Sequence, residues 1–155
     1  MSLAKPRGLL TSGFDLVGDD GLLATMDGSF WREGGSVRVG NDTWELRRQG
    51  WSAFQLVRND VAEAVARPRG FFKSNFEIDM AGHTYQLARP SLWRRPYTVF
   101  EDGAPVGSIE PTCVFTNAAT VRLPHTMPLQ LQVFIVGVIA IQWRRAQASS
   151  VSSST

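Results

Sequence analysis

The chain has 155 residues, of which 43% are hydrophobic and 19% charged, and its formal net charge at pH 7 is +2. This length fits one domain with a sizeable core, and the near-neutral charge argues against a nucleic-acid partner held by the field of the whole surface. The single cysteine, Cys113, excludes an internal disulfide and fits a reducing compartment, so we expect a cytoplasmic protein.

Residues 1–9 contain basic residues but no apolar run of the kind found in signal peptides, and they are predicted to form an N-terminal arm. The chain then reads as short strands around Gly, Asn or Asp turns, as in "FDLVGDDGLLATM", "VRVGNDTWELRR", "FEIDMAGHTYQLAR" and "YTVFEDGAPVGSI". Each segment is typical of a β-hairpin. In "TWELRR", Trp44 and Leu46 are predicted to point to one face and Glu45 and Arg47 to the other.

The hairpins repeat along the chain. "GNDTWELRR" (40–48) aligns with "AGHTYQLAR" (81–89), which pairs Arg48 with Arg89. Residues 53–68 align with 96–111 without a gap, and 14–20 align with 54–60. The alignment indicates three units of roughly 40 residues and about four strands each, the third cut short.

Three units are too few for a propeller, and a trefoil has no use for the long apolar segment that follows them. A closed barrel with something inside it uses that segment and leaves no strand edge exposed. The predicted fold is therefore mainly β: a closed antiparallel barrel of about twelve strands, in three pseudo-repeats, around a central hydrophobic helix.

The apolar segment is "TMPLQLQVFIVGVIAIQWRR" (126–145), which has no charge before Arg144. It contains no turn signal, so we predict a helix over about 127–146 with Thr126 as its N-cap. About fifteen apolar positions at 1.5 Å each give about 22 Å, short of the roughly 30 Å of a bilayer core. A buried core helix is therefore favoured, with Gly137 giving room to a facing side chain, and a membrane span is the alternative. Residues 148–155 are small and polar, and they are predicted to be a disordered tail.

Two stretches carry a family resemblance: "SLWRRPYTVFEDGAPVGSIE" and "LPHTMPLQLQVFIVGVIAIQWRRA". They resemble the Tubby C-terminal-like superfamily, which includes phospholipid scramblases, plant LURP-one-related proteins and many uncharacterised bacterial proteins. The similarity is greatest to small actinobacterial-type members and covers about residues 10–147, the predicted domain. It implies a twelve-strand barrel wrapped around a central hydrophobic helix. Tubby proteins bind phosphoinositides through basic residues, so the resemblance also implies an anionic phospholipid as partner.

Enzyme chemistry has no visible motif in the sequence. There is no nucleophile elbow, phosphate loop or dinucleotide fingerprint. Two histidines, His83 and His125, and one cysteine do not make a metal cluster, and the acidic turn around Asp19 lacks calcium-loop spacing. The sequence therefore predicts a non-enzymatic protein with no catalytic residue, no metal and no cofactor.

Arginine pairs beside tryptophans are the remaining candidates, because cations with flanking aromatic rings suit anionic lipid headgroups. The predicted headgroup-binding residues are Arg47, Arg48, Arg94, Arg95, Arg144 and Arg145. Solubilising surface charge explains the same residues without a ligand.

Three functions stay open at this stage. The first is a binding module that attaches peripherally to anionic phospholipid or phosphoinositide at the inner membrane face. The second is a tail-anchored or scramblase-like membrane protein that uses the C-terminal helix as a span. The third is a protein-interaction scaffold without lipid affinity, whose partner is an unknown protein. A nucleic-acid partner ranks last because the charges are evenly balanced.

Overall fold

The structure is a computed structural model, and it describes most of the chain. The described residues are 2–6, 14–19, 21–27, 35–50, 52–69, 75–89, 96–111 and 119–153. For residues 2–6, 144 and 146–153 the description covers the backbone only. Arg94, Arg95 and Cys113 lie outside the described residues, so the predictions made for them stay predictions.

The described chain is mainly β, with one helix at its C-terminal end. Its strands are β1 (Ser2–Pro6), β2 (Phe14–Gly18), β3 (Gly21–Asp27), β4 (Gly35–Val39), β5 (Asp42–Gln49), β6 (Ala53–Arg58), β7 (Val61–Pro68), β8 (Phe76–Met80), β9 (His83–Ala88), β10 (Tyr97–Glu101), β11 (Ala104–Pro111) and β12 (Ala119–Arg122). The helix is α1 (Leu129–Ser153). The predicted fold class, mainly β with a C-terminal helix, is confirmed at this level.

Eleven of the strands, β2 to β12, form one antiparallel sheet in which each strand pairs with its neighbour in sequence. The predicted alternation in β5 is confirmed, because Trp44 and Leu46 are buried whereas Glu45 and Arg47 are exposed. Period-2 alternation of this kind places one face of the sheet against a core and the other in solvent.

The sheet repeats an irregularity at three equivalent places. The pairing register shifts between Leu16 and Val17, between Leu56 and Val57, and between Val99 and Phe100. The sequence alignment of the three units brings these positions together, at offsets of 40 and 43 residues. A β-bulge bends its strand and increases the local twist. The three units therefore share a bend as well as a sequence pattern.

The N-terminal strand corrects one prediction. Residues 2–6 were expected to belong to an arm, but they form β1, which pairs with β12 through Leu3 and Thr120 and with β2 through Leu3 and Val17. The physical reason is non-local: β2 and β12 each present an edge of unpaired backbone groups, and a short added strand satisfies both. β1 therefore lies between the first and last strands of the sheet.

Residues 131–143 of α1 are buried, apart from Ala140, which is partly buried. Thirteen successive residues make more than three helical turns, so this stretch is covered on every face. The prediction of a buried helix is confirmed. Within the described chain, no helix combines the length and the apolar character needed to cross a bilayer.

Both ends of α1 differ from the prediction. The helix begins at Leu129, directly after Pro128, whose carbonyl accepts from the backbone N–H groups of Leu131 and Gln132, so Thr126 is not its N-cap. At the other end the helix runs to Ser153 instead of stopping near 146, so residues 148–153 are helical where disorder was expected. Adding a residue to an existing helix requires no new nucleus, and Ala146, Gln147 and Ala148, which lead into this segment, are good helix formers.

Candidate functional site: arginines on aromatic rings at the loop end

The sheet has two unlike ends. At one end, which we call the hairpin end, tight turns join the strands; φ is positive at both Asn59 and Asp60 in the β6–β7 turn and at both Asp102 and Gly103 in the β10–β11 turn. This pair of conformations matches the twist of a two-residue hairpin. We call the opposite end, where β6 and β10 begin, the loop end. The candidate site lies there.

Phe54, near the start of β6, is fully buried and has an arginine on each of two sides. Arg48 on β5 is its direct partner in the sheet, so both side chains leave the same face. Arg145 approaches from α1, with its guanidinium carbon 5.6 Å from the centre of the Phe54 ring. Such a cation over an aromatic face is held by the ring quadrupole, at about 0.5–2 kcal/mol depending on exposure.

Tyr97, the first residue of β10, has equivalent neighbours. The guanidinium carbon of Arg89 lies 5.7 Å from the centre of the Tyr97 ring, and the ring of Trp143 on α1 lies 6.4 Å from it. The backbone N–H of Arg89 donates to Asn75 Oδ1 at 3.1 Å, which fixes the chain just after β9. Tyr97 is fully buried, like Phe54, so both rings are part of the core although they lie at the loop end of the sheet.

The two arrangements are related by the internal repeat. The alignment of the repeats pairs Arg48 with Arg89, and it also pairs Phe54 with Tyr97. The helix then adds Arg145 to the first pair and Trp143 to the second. The loop end therefore carries Arg48, Arg89 and Arg145 around two buried rings, and we call these three side chains the arginine cluster.

Arg47 does not join the cluster, although it was predicted with Arg48. It lies on the outer face of β5, where it donates to Glu45 at 2.9 Å and to Asp60 at 3.4 Å. The hydrogen bonds to Glu45 and then to Asp60 raise the pKa of Arg47 above its ordinary value. Two carboxylates already compensate this cation, which makes Arg47 a poor candidate for a headgroup ligand.

The other predicted residues divide in the same way. Arg145 lies at the loop end beside Phe54, and Arg144 precedes it in α1 with only its backbone described, so headgroup binding stays a prediction for both. Arg94 and Arg95 fall between Arg89 and Tyr97 in sequence but outside the described residues. Arg89 was missing from the prediction, although its alignment with Arg48 could have indicated it.

Two buried nitrogen atoms in the described chain have no hydrogen-bond partner, and both belong to residues at the loop end: Gln142 Nε2 and Arg89 Nε. Gln142 is 7% exposed and Arg89 is partly buried. The other buried glutamine of α1 behaves differently, because Gln132 Nε2 donates to the Met127 carbonyl at 3.0 Å. A buried donor left without an acceptor costs about 1–3 kcal/mol, so each case calls for a physical reason.

The histidines lie apart from this site. His83 is the first residue of β9 and its Nδ1 lies 3.4 Å from Glu101 Oε1, while His125 is exposed in the connection before α1. Among the described residues, no three His, Cys, Asp or Glu side chains come together in a way that could hold a metal ion.

Comparison with known proteins does not assign the chain to a family. No protein-family model, no curated protein and no solved structure matches the chain significantly. The class that the fold defines is therefore a mainly β protein in which one antiparallel sheet covers a C-terminal helix.

Proposed function

We propose that this protein is a non-enzymatic, Tubby-like binding module that attaches peripherally to anionic phospholipid, with its loop end facing the membrane. The observation that carries the proposal is the arginine cluster, in which Arg48, Arg89 and Arg145 all lie at the loop end of the sheet, each beside a buried aromatic ring. The proposed location is the cytoplasm, peripherally at the inner face of the membrane.

Electrostatics supports attachment of the loop end to an anionic surface. Each Lys or Arg near an anionic leaflet contributes about 1 kcal/mol of attraction. Elsewhere on the surface, arginines face carboxylates: Arg58 lies 2.9 Å from Asp42 and Arg67 lies 3.7 Å from Asp79. The positive charge of these two arginines is already compensated.

We also propose that the sheet acts as a closed barrel around α1. Support comes from β1, which pairs with both β12 and β2, and from the burial of residues 131–143 on every face. A barrel closed in this way keeps the apolar helix away from lipid, so the membrane would be touched only by the rim.

The test is flotation of detergent-free protein with liposomes. Wild-type protein is expected to float with phosphatidylserine-containing vesicles at low salt, and not with phosphatidylcholine vesicles or at high salt, because salt screens surface charge. The double variant Arg48→Ala with Arg145→Ala should lose flotation. The matched control, Arg47→Ala with Arg67→Ala, changes the net charge equally at ion-paired positions and should keep most of it.

Two outcomes contradict the proposal. If both double variants lose flotation equally, binding follows total charge and the arginine cluster has no special role. If wild-type protein floats with neither vesicle, the lipid proposal fails and the protein-interaction scaffold becomes the better hypothesis.

A further inference from the structure

Gln142 is a polar residue in an apolar stretch of α1, and its burial is the starting point. It is 7% exposed, and its side-chain nitrogen is a buried donor without an acceptor. Gln132 is buried to the same degree, at 6% exposed, but donates to a backbone carbonyl. Gln142 therefore has donor capacity that the described protein does not use.

The direction of Gln142 follows from its neighbours on the helix. Successive residues of an α-helix are rotated by about 100° around its axis. Relative to the direction of Gly137, the side chains of Arg145, Gln142 and Trp143 therefore point about 80°, 140° and 240° around the helix axis. Gly137 faces Met26 on β3 and Leu46 on β5, Arg145 faces Phe54 on β6, and Trp143 faces Tyr97 on β10. Rotation in this sense follows the strand order of the sheet. Gln142 therefore points between β6 and β10, towards β7, β8 and β9.

Arg89 lies on that same arc. It follows the last residue of β9, and its Nε is the second buried donor without an acceptor. Its position is fixed by the Tyr97 ring and by the hydrogen bond from its backbone N–H to Asn75. The same end of the sheet therefore presents an amide donor from the helix and a cationic donor from β9.

The ligand chemistry follows from these donors. Two N–H groups call for a ligand that can accept at least two hydrogen bonds, and the arginine charge favours an anion. Phosphate and carboxylate groups match this description, because guanidinium binds both through parallel hydrogen bonds. We propose that Gln142 and Arg89 form a binding site for an oxyanion, a phosphate or carboxylate group, inside the rim of the loop end. The site does not require a membrane, so it goes beyond the lipid surface proposed above.

The experiment is titration of the whole protein with inorganic phosphate at constant ionic strength, followed by calorimetry and by the melting temperature. Wild-type protein should bind phosphate and melt at a higher temperature as phosphate rises, since a ligand that binds the native state stabilises it. Gln142→Leu and Arg89→Lys should each weaken binding at least about tenfold, the ratio that one hydrogen bond to a charged acceptor is worth. Arg89→Lys keeps the positive charge and removes the planar guanidinium group, including its Nε donor.

Gln132→Leu is the matched control. It removes a buried glutamine that already has acceptors, so it should lower the melting temperature and leave phosphate binding unchanged. Without phosphate, Gln142→Leu should melt at or above the wild-type temperature, because it removes a buried donor that has no acceptor. This contrast separates a ligand site from a general need for polarity in the helix.

The source of the oxyanion is distinguished by competition. If phosphatidic acid vesicles compete with phosphate and phosphatidylserine vesicles of equal charge do not, the site takes a lipid phosphate monoester; if neither competes, it takes a free oxyanion. The proposal is overturned if wild-type protein shows no phosphate-dependent shift, or if Gln142→Leu and Arg89→Lys bind phosphate as well as wild type. Flotation on phosphatidylserine vesicles is read separately, so failure of this site and failure of lipid attachment give different results.

Discussion

Gly137 of α1 lies against Met26 of β3 so closely that a Cβ atom at position 137 would be 2.9 Å from the Met26 sulfur. Leu46 Cδ1 lies 3.8 Å from the same point. Glycine normally weakens a helix by about 1 kcal/mol relative to alanine. Here it lets the helix backbone approach the sheet, as the sequence predicted when it placed this residue in a crowded interior. The contact connects the middle of the helix to two strands of the first unit, β3 and β5.

We expect Gly137→Val to lower the free energy of unfolding by about 1–3 kcal/mol, the usual cost of overpacking a dense core. Urea unfolding measures this change. Ala140→Val, on the same helix at a partly buried position, is the control and should cost less. Adding Met26→Ala to Gly137→Val should restore part of the loss, because it removes the side chain that the valine meets. Equal stability of the two valine variants would contradict the close approach.

Local sequence patterns were sufficient to predict most of the strands and the helix. Alternation around Trp44 and Leu46 identifies β5, and the uncharged run from Leu129 to Trp143 identifies the buried part of α1. The strand β1 was missed because five residues at the start of the chain carry little signal of their own. They form a strand only because β2 and β12, more than 100 residues apart in sequence, present edges in the same place.

The candidate site was harder to predict than the fold. Arg47 and Arg48 are adjacent in sequence and were predicted together, yet one meets carboxylates on the outer face and the other pairs with Phe54. What an arginine does depends on the residue across the sheet, which composition does not reveal. Gln142 carries no motif at all, and only its burial without an acceptor distinguishes it from Gln132.

The proposed closure of the barrel through β1 predicts that a proline in this strand opens the sheet locally. Ala4 pairs with Leu16 on one side and with Ala119 on the other, so its N–H is needed by one neighbour. With Ala4→Pro, amide hydrogen exchange in β2 and β12 should become faster, while exchange in β6 should stay near the wild-type rate. Ser2→Pro, at the first residue of the strand, is the milder control. Unchanged exchange in β2 and β12 would mean that these strands do not depend on β1.

A charge in the middle of α1 separates a core helix from a membrane span. Ile135 is fully buried, so Ile135→Lys places an unpaired cation where nothing compensates it. We expect a loss above about 4 kcal/mol, enough to unfold a domain whose total stability is about 5–15 kcal/mol. Near-ultraviolet circular dichroism should lose its fine structure. Gln130→Lys, at a partly buried position in the first turn, should stay folded. A folded Ile135→Lys protein that differs from wild type only in membrane insertion would favour the span.

Alkaline pH should destabilise the protein through Tyr85. Burial of this side chain, followed by the charges of Glu101 and Asp102, raises the pKa of Tyr85 above its ordinary value of 10.0. The hydroxyl is therefore still protonated in the folded protein when the unfolded chain has begun to ionise. The contribution of this hydroxyl to the free energy of unfolding is fully present below about pH 10. It falls as the pH rises towards the raised pKa of the folded state, because the unfolded state then binds fewer protons. The decline in urea-unfolding free energy between about pH 9 and pH 11 should be smaller for Tyr85→Phe than for wild type. Tyr97, the other tyrosine of the chain, is present in both proteins, so the difference between their tyrosinate absorbance curves reports Tyr85 alone. A difference curve with its midpoint at or below pH 10.0 would contradict the raised pKa.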